Sequence, residues 1–184
     1  MDKEAIQINI KKNLRTKILK YRKQIINNGE EILNDNQKII ENIKPLIANY
    51  NKILIYYPIF NEPNILTLLD MYKDKMFYLP YTYPDHIEIR KIVDINDLEK
   101  DLYNVPSSKI KTDDCVEVAI VPAVAMNNKK YRLGYGKGYY DKFLQNKNIL
   151  KIAVVNSKYL VDIDYQDEWD ISFDIIVTEK EVIK

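Results

Sequence analysis

The chain has 184 residues, 46% hydrophobic and 30% charged, which suffices for a sizeable core and leaves no apolar run long enough for a membrane span. A formal net charge of +1 removes any global argument for a nucleic-acid partner. A single cysteine, Cys115, excludes an internal disulfide and fits a reducing compartment such as the cytosol. The opening residues, MDKEAIQINIKK, carry acids and no small-residue cleavage site behind an apolar core, so no secretory signal is expected.

Seven basic residues and no acid stand between Lys11 and Lys23, and apolar residues recur at Ile10, Leu14, Ile18, Tyr21 and Ile25. That period predicts an amphipathic helix. Lys11 and Arg15, four apart, share a face and are able to clamp a phosphate together, although spacing alone favours a solvated basic surface. Glu30 to Tyr50 reads as a second helix, broken near Pro45, with Ile32, Leu33, Ile39, Ile40 and Ile43 as its apolar set. The run KILIYY, Lys52 to Tyr57, reads as a buried strand ended by Pro58. Asn64 to Tyr72 is helical by period, Met76 to Leu79 is a strand closed by Pro80, and His86 to Ile92 is an edge strand or hairpin arm. Asp94 to Asp114 is polar and interrupted, with Pro106 in a turn. Val116 to Val121, VEVAIV, carries the strongest strand pattern and ends at Pro122. Further strands are expected at Lys151 to Val155 and Asp174 to Val177. Helices alternating with apolar strands predict an α/β layered domain, and no repeat or low-complexity linker divides residues 1–184 into more than one. In open α/β sheets ligands bind beyond the carboxyl ends of the strands, which gathers the loops after Tyr57, Leu79, Val121 and Val155.

Three of the four glycines, Gly134, Gly136 and Gly138, fall at every second position of Tyr131 to Leu144, YRLGYGKGYYDKFL. A chain this poor in glycine places one where a side chain is not tolerated. Alternating glycines expose a run of amide N–H groups, Arg132 and Lys137 add positive charge, and a helix is expected from Tyr139. Together these make an anion site, best suited to phosphate, with a glycine-rich hairpin as the plainer alternative. The spacing fits neither the dinucleotide fingerprint, because Gly138 follows Gly136 by two, nor the Walker pattern, because Lys137 precedes glycine.

Four carboxylates lie near these loops. Glu62 follows the Tyr57 strand end, where it accepts hydrogen bonds from a ligand or serves as a helix-terminal acid. Asp141 opens the helix after the glycines, where it is a helix acid or, beside phosphates, a magnesium ligand. Asp170 lies before the last expected strand and Asp174 within it, and one of them is able to supply a second metal oxygen. With one Cys and one His, a zinc site is not expected, and His86 reads as a surface or hairpin residue.

The run VPAVAMNNKKYRLGYGKGYYDKFL resembles the signature of the 5-formyltetrahydrofolate cyclo-ligase family, also called methenyltetrahydrofolate synthetases. The resemblance extends in order over nearly the whole chain, from KKNLR at Lys11 to Arg15, through Asn61-Glu62 and FYLP, to WDISFDIIVTE. It implies a three-layer αβα domain with a mixed, mostly parallel sheet. The implied reaction is ATP-dependent closure of 5-formyltetrahydrofolate to 5,10-methenyltetrahydrofolate, with magnesium and release of ADP and phosphate. A monomeric cytoplasmic enzyme with a folate substrate, and no nucleic-acid or membrane partner, is the corresponding expectation.

Carried onto this chain, Lys11 and Arg15 look like ATP contacts, which overturns the solvated-surface reading. Arg132, Gly134, Tyr135, Gly136, Lys137, Gly138, Tyr139 and Tyr140 look like the triphosphate cradle, with Tyr135 to Tyr139 also near the folate. Asp141 and Asp170 look like magnesium ligands, and Tyr57 and Glu62 like folate contacts, Glu62 at the polar pterin edge. Three positions depart from the family pattern: Pro122-Ala123 replaces Pro-Gly, Met126-Asn127 replaces Phe-Asp, and Trp169 stands where histidine is common. Two other classes remain as alternatives, a phosphosugar isomerase or related phosphate-binding enzyme and, further off, an RNA-binding module.

Overall fold

The computed structural model describes residues 3–24 and 29–184. Two helices, α1 (Lys3–Gln24) and α2 (Gly29–Ile47), open the chain, and β1 (Lys52–Leu54), α3 (Leu68–Met71), β2 (Met76–Thr82) and β3 (Ile87–Lys91) follow. Next come β4 (Leu98–Lys100), β5 (Pro106–Ser108), β6 (Ile110–Lys111), β7 (Val118–Pro122), β8 (Ala125–Asn127) and β9 (Arg132–Leu133). The last elements are α4 (Tyr139–Leu144), β10 (Leu150–Val154), β11 (Leu160–Val161), β12 (Ile175–Val177) and β13 (Val182–Ile183).

Eight strands form one sheet in the order β13-β12-β10-β7-β1-β2-β3-β6. The strands from β12 to β2 pair in parallel, while β13, β3 and β6 are antiparallel additions at the edges. Successive side chains of a strand point to opposite faces, and here both faces are buried. Leu54, Tyr78, Ala119, Val121, Ala153 and Ile176 share one core with Ile18 of α1 and Leu144 of α4. Ile53, Phe77, Val118, Ile120, Ile152 and Val177 share the other with Ile39, Ile40, Ile43 and Ile47 of α2. Each such isoleucine contributes about 1.5–3 kcal/mol by leaving water, which is why α2 sits where it does. Helices on both faces of a mixed, mostly parallel sheet make the expected three-layer αβα arrangement.

Two prolines do not end the elements they were expected to end, and a third, expected in a turn, opens a strand. Helix α2 runs through Pro45 to Ile47, because the carbonyl four residues back belongs to exposed Glu41, where a missing helical bond is not a buried loss. Its buried stripe lies in its second half, so Leu33 is 70% exposed. Strand β2 continues past Pro80, which pairs with Ile89 of β3, because the pairing with β1 has already ended at Tyr78 and only one side needs hydrogen bonds. Pro106 opens β5, and the turn before it is made by Asp101, whose Oδ1 accepts the N–H groups of Tyr103 and Val105, and by Asn104 at φ 61°.

Smaller differences have similar causes. The segment expected as a helix from Asn64 is helical only over α3, since the Asn64 side chain takes the N–H of Leu66 into a local turn. Strand β3 is a hairpin arm and not an edge, because β6 pairs outside it. Strands β8, β9 and β11 form a small second sheet that the periodicity did not signal, and it delivers the chain into the glycine loop. Ile25 lies outside the described residues. No helix among the described residues is long and apolar enough to cross a membrane.

Candidate active site

The parallel strands run in the order β2-β1-β7-β10-β12, so the direction of winding reverses between β1 and β7. The carboxyl ends at such a reversal splay apart and leave a crevice. A cleft of about 650 Å³ lies there, lined by Tyr56 and Tyr57 after β1, Pro80 and Thr82 of β2, and Pro122 of β7. The glycine loop closes one side through Arg132, Tyr135, Lys137, Gly138, Tyr139 and Tyr140. Three of the four expected loops therefore meet. The fourth, at Asn156 after β10, lines a separate cavity of about 550 Å³ behind the loop that carries Glu62.

The glycines act for different reasons. Gly136 and Gly138 have φ of 97° and 68°, a region that side chains disfavour, and Gly138 immediately precedes α4. Gly134 needs space instead: a Cβ there would lie 2.5 Å from the guanidinium of Arg132. A Cβ on Gly136 would lie 3.2 Å from the guanidinium of Arg15. Two arginines thus rest directly on the loop backbone. Arg15 donates from Nε to the Gly134 carbonyl at 2.7 Å. Arg132 donates to the Pro122 carbonyl at 3.2 Å, lies 5.0 Å from the Tyr140 ring centre, and its buried Nε has no partner among the described residues. Burial, and then the like charge of Arg132, lowers the pKa of Arg15. Neighbouring guanidinia repel one another, a cost that an anion lying between them would offset.

On the far side of this loop lies a group of carboxylates. Lys11 donates to Asp167 at 2.5 Å and also to Asp170, and these partners outweigh burial to raise its pKa. Asp170 also accepts the Asp167 N–H. Asp141 is half-buried in the first turn of α4, and burial raises its pKa, with Arg132 opposing and Asp170 adding to the rise. Asp141 and Asp170 therefore feel one another. No group of three or more His, Cys, Asp or Glu suited to a metal occurs among the described residues. A pair of carboxylates is nevertheless the donor set that magnesium uses when phosphate oxygens and water complete its shell. Asp174 is directed elsewhere, accepting the Lys151 N–H at 2.7 Å.

Glu62, 7% exposed, is one of two buried acids in the cleft lining, Asp101 of the β4–β5 turn being the other. Its Oε1 accepts the Tyr135 hydroxyl at 2.7 Å and its Oε2 the Ile59 N–H at 3.0 Å. Burial outweighs these bonds and the fields of Arg22 and Arg132, and pushes the carboxyl up to about 7. Because the folded form then holds a proton that the unfolded form releases near 4.5, stability from this group falls as pH rises from about 4.5 to 7. The fall is on the order of 3 kcal/mol. Glu62→Gln is expected to remove that slope, measured by urea unfolding at several pH values; an unchanged slope would place the titration elsewhere.

The far wall of the cleft was not legible as a site. Asp101, Tyr103 and Asn104 of the β4–β5 turn line it, and the Tyr139 hydroxyl lies 3.0 Å from both the Tyr103 hydroxyl and the Pro84 carbonyl. The one available signal was the turn chemistry of Asp101 and Asn104. His86 lies outside the cleft, stacked on Tyr83 and bonded to Asp85. Tyr139 and Tyr140 open a helix, so the aromatic pair does not form the strand surface of an RNA-recognition motif.

A model of the 5-formyltetrahydrofolate cyclo-ligase family matches residues 7–179. The 5-formyltetrahydrofolate cyclo-ligase of Mycoplasma pneumoniae is 30% identical over 132 residues, which are 70% of this chain and 73% of that one. That of Mycoplasma genitalium is 27% identical over 132 residues, covering 68% and 71%. The NMR structure of Aquifex aeolicus 5,10-methenyltetrahydrofolate synthetase matches with a TM-score of 0.82 at 31% identity, over 94% of this chain and 91% of that one. The 5,10-methenyltetrahydrofolate synthetase structure from Mycoplasma pneumoniae, at 24% identity and a TM-score of 0.71 over 92% and 98%, shares the fold. With the family pattern met from the first turns of α1 to the end of β12, the chain belongs to the 5-formyltetrahydrofolate cyclo-ligase family.

Proposed function

We propose that this enzyme closes 5-formyltetrahydrofolate to 5,10-methenyltetrahydrofolate while converting ATP to ADP and phosphate. The observation that carries the reading is the junction at Arg132. On one side of it lies a tyrosine-lined cleft with the buried carboxylates Glu62 and Asp101, the latter tied up in its own turn, and on the other lie Arg15 and the carboxylates Asp141 and Asp170. A flat, partly apolar heterocycle suits the first side and a triphosphate the second.

In this reading the folate packs among Tyr56, Tyr57 and Tyr135, with Glu62 accepting hydrogen bonds from the pterin edge. Lys11, Arg15, Arg132, Lys137 and the loop amides of Gly134 to Tyr140 take the phosphates. Asp141 and Asp170 would hold magnesium, which when bound adds positive charge at the phosphate oxygens. The formyl oxygen, a poor leaving group, attacks the γ-phosphorus as the bond to ADP breaks. The neighbouring amine of the folate then attacks the activated carbon and loses its proton, and the carbon–oxygen bond breaks to release phosphate. The protein's share is orientation and charge neutralisation, which dominate phosphoryl transfer. Mixing the protein with ATP, magnesium and 5-formyltetrahydrofolate should raise absorbance in the methenyl product's band. No product under those conditions would overturn the reading.

Lys137 is exposed on the lip of the cleft, where it faces phosphate oxygens as a point charge in this reading. Lys137→Ala is expected to lower kcat/KM for ATP by roughly 10- to 150-fold, the equivalent of about 1.5–3 kcal/mol for a charge-assisted contact. Folate binding should change less. Unaltered steady-state constants for ATP would count against the contact.

A further inference from the structure

Arg22 takes no part in the mechanism above, yet at 1% exposure it is the most deeply buried charged side chain among the described residues. It lies two helical turns beyond Arg15 on α1 and points inward. Its Nη2 donates to the carbonyls of Ala123 at 2.8 Å and Val124 at 3.0 Å, directly after β7. Its guanidinium covers the Tyr159 ring at 4.5 Å, and its Nε and Nη1 have no partner among the described residues. Its own carbonyl accepts a hydrogen bond from the Asn61 side chain at 2.9 Å. Asn61 precedes Glu62 and, with Phe60, holds a positive φ, 58° and 48° respectively. That backbone persists only where neighbours over-determine it.

One residue thus ties together the two segments that leave β1 and β7, the strands between which the cleft opens. Burying a guanidinium with no carboxylate on it costs several kcal/mol, and an apolar side chain of similar length would fill the space without that cost. The charge therefore requires a use. Glu62 is the buried carboxylate that feels its field, together with Arg132. The other groups facing Glu62 are the Tyr135 hydroxyl, bonded to it, and the hydroxyls of Tyr56 and Tyr140, both neutral phenols with raised pKa.

We propose that Arg22 is a positioning residue for Glu62: its side chain pins the turn after β7, its carbonyl holds the loop that carries Glu62, and its buried charge is the counter-charge of that carboxylate. This deepens the folate reading, in which Glu62 meets the pterin.

The test needs no substrate, so an inactive protein leaves it standing as a separate question. The side-chain carboxyl carbon of Glu62 in carbon-13-labelled free protein, identified by its loss in Glu62→Gln, is followed against pH by NMR. Arg22→Met is expected to move the Glu62 midpoint upward, by roughly half a pH unit. Arg22→Lys, which keeps the charge without the planar fork, should fall between wild type and Arg22→Met. Asn61→Ala cuts the tie but not the field and should leave the midpoint in place. Should Arg22→Met not fold, Arg22→Gln takes its place with the same expectation. An unmoved midpoint in the folded neutral variant overturns the counter-charge role. In an active enzyme, Arg22→Met should raise KM for the folate more than KM for ATP; an equal rise overturns the positioning role.

Discussion

Gly136→Val is expected to abolish measurable ATP binding while leaving the circular dichroism spectrum of the folded protein intact. The backbone there has φ of 97°, which costs a side-chain-bearing residue about 1–2 kcal/mol and a β-branched one more. A Cβ would also meet the Arg15 guanidinium at 3.2 Å, and the two γ-methyls of valine would drive Arg15 off the Gly134 carbonyl. Losing Arg15 and one loop amide as phosphate contacts removes about 3–5 kcal/mol, a fall in affinity of more than a hundredfold. Because Gly136 is exposed, none of this strain reaches the two cores. A calorimetric titration of the variant decides the matter, and wild-type affinity would mean that the glycines only shape a turn.

Asp141→Asn should keep the fold and part of the affinity for ATP yet lose most magnesium-dependent turnover, by about a hundredfold or more, since magnesium relies on the charge of one or two carboxylates. The substitution is nearly isosteric. If Asp141 is only the acid in the first turn of α4, the change costs at most about 1 kcal/mol of stability and leaves turnover alone. Turnover measured against magnesium concentration separates the two roles. A curve that overlays the wild type would return Asp141 to the helix-terminal role.

How much of this was legible in the sequence depends on the range over which each feature is decided. The parallel strands were, because burial on both faces writes continuous apolar runs such as Ile53 to Tyr56 and Val118 to Val121. The glycine loop and the start of α4 were also legible, since alternate glycines in so glycine-poor a chain are a local signal. Pro45 and Pro80 misled because a proline ends an element only where its missing N–H is needed, and that is settled by what lies alongside. Spacing could place Lys11 and Arg15 on one face but not say what they face, since the Gly134 carbonyl is 119 residues from Arg15. Arg22 was one of seven basic residues in a helix, and only the carbonyls after β7 distinguish it from the solvated ones.

The long reach of α1 bears on how the protein is made. Lys11, Arg15 and Arg22 find their side-chain partners 101 to 159 residues downstream. At synthesis rates of about 5–20 residues per second, the helix emerges roughly 7 to 30 s before Asp167 and Asp170 exist. For the first two thirds of that interval Ile10, Leu14 and Ile18, which end against the sheet, have no β7 to cover them. A lone helix of this length is only marginally stable in water, and its apolar stripe invites association between nascent chains. Seven cations between Lys11 and Lys23, with no acid among them, repel one another from chain to chain and oppose that association. The charges that line the finished site therefore serve first to keep unfinished molecules apart.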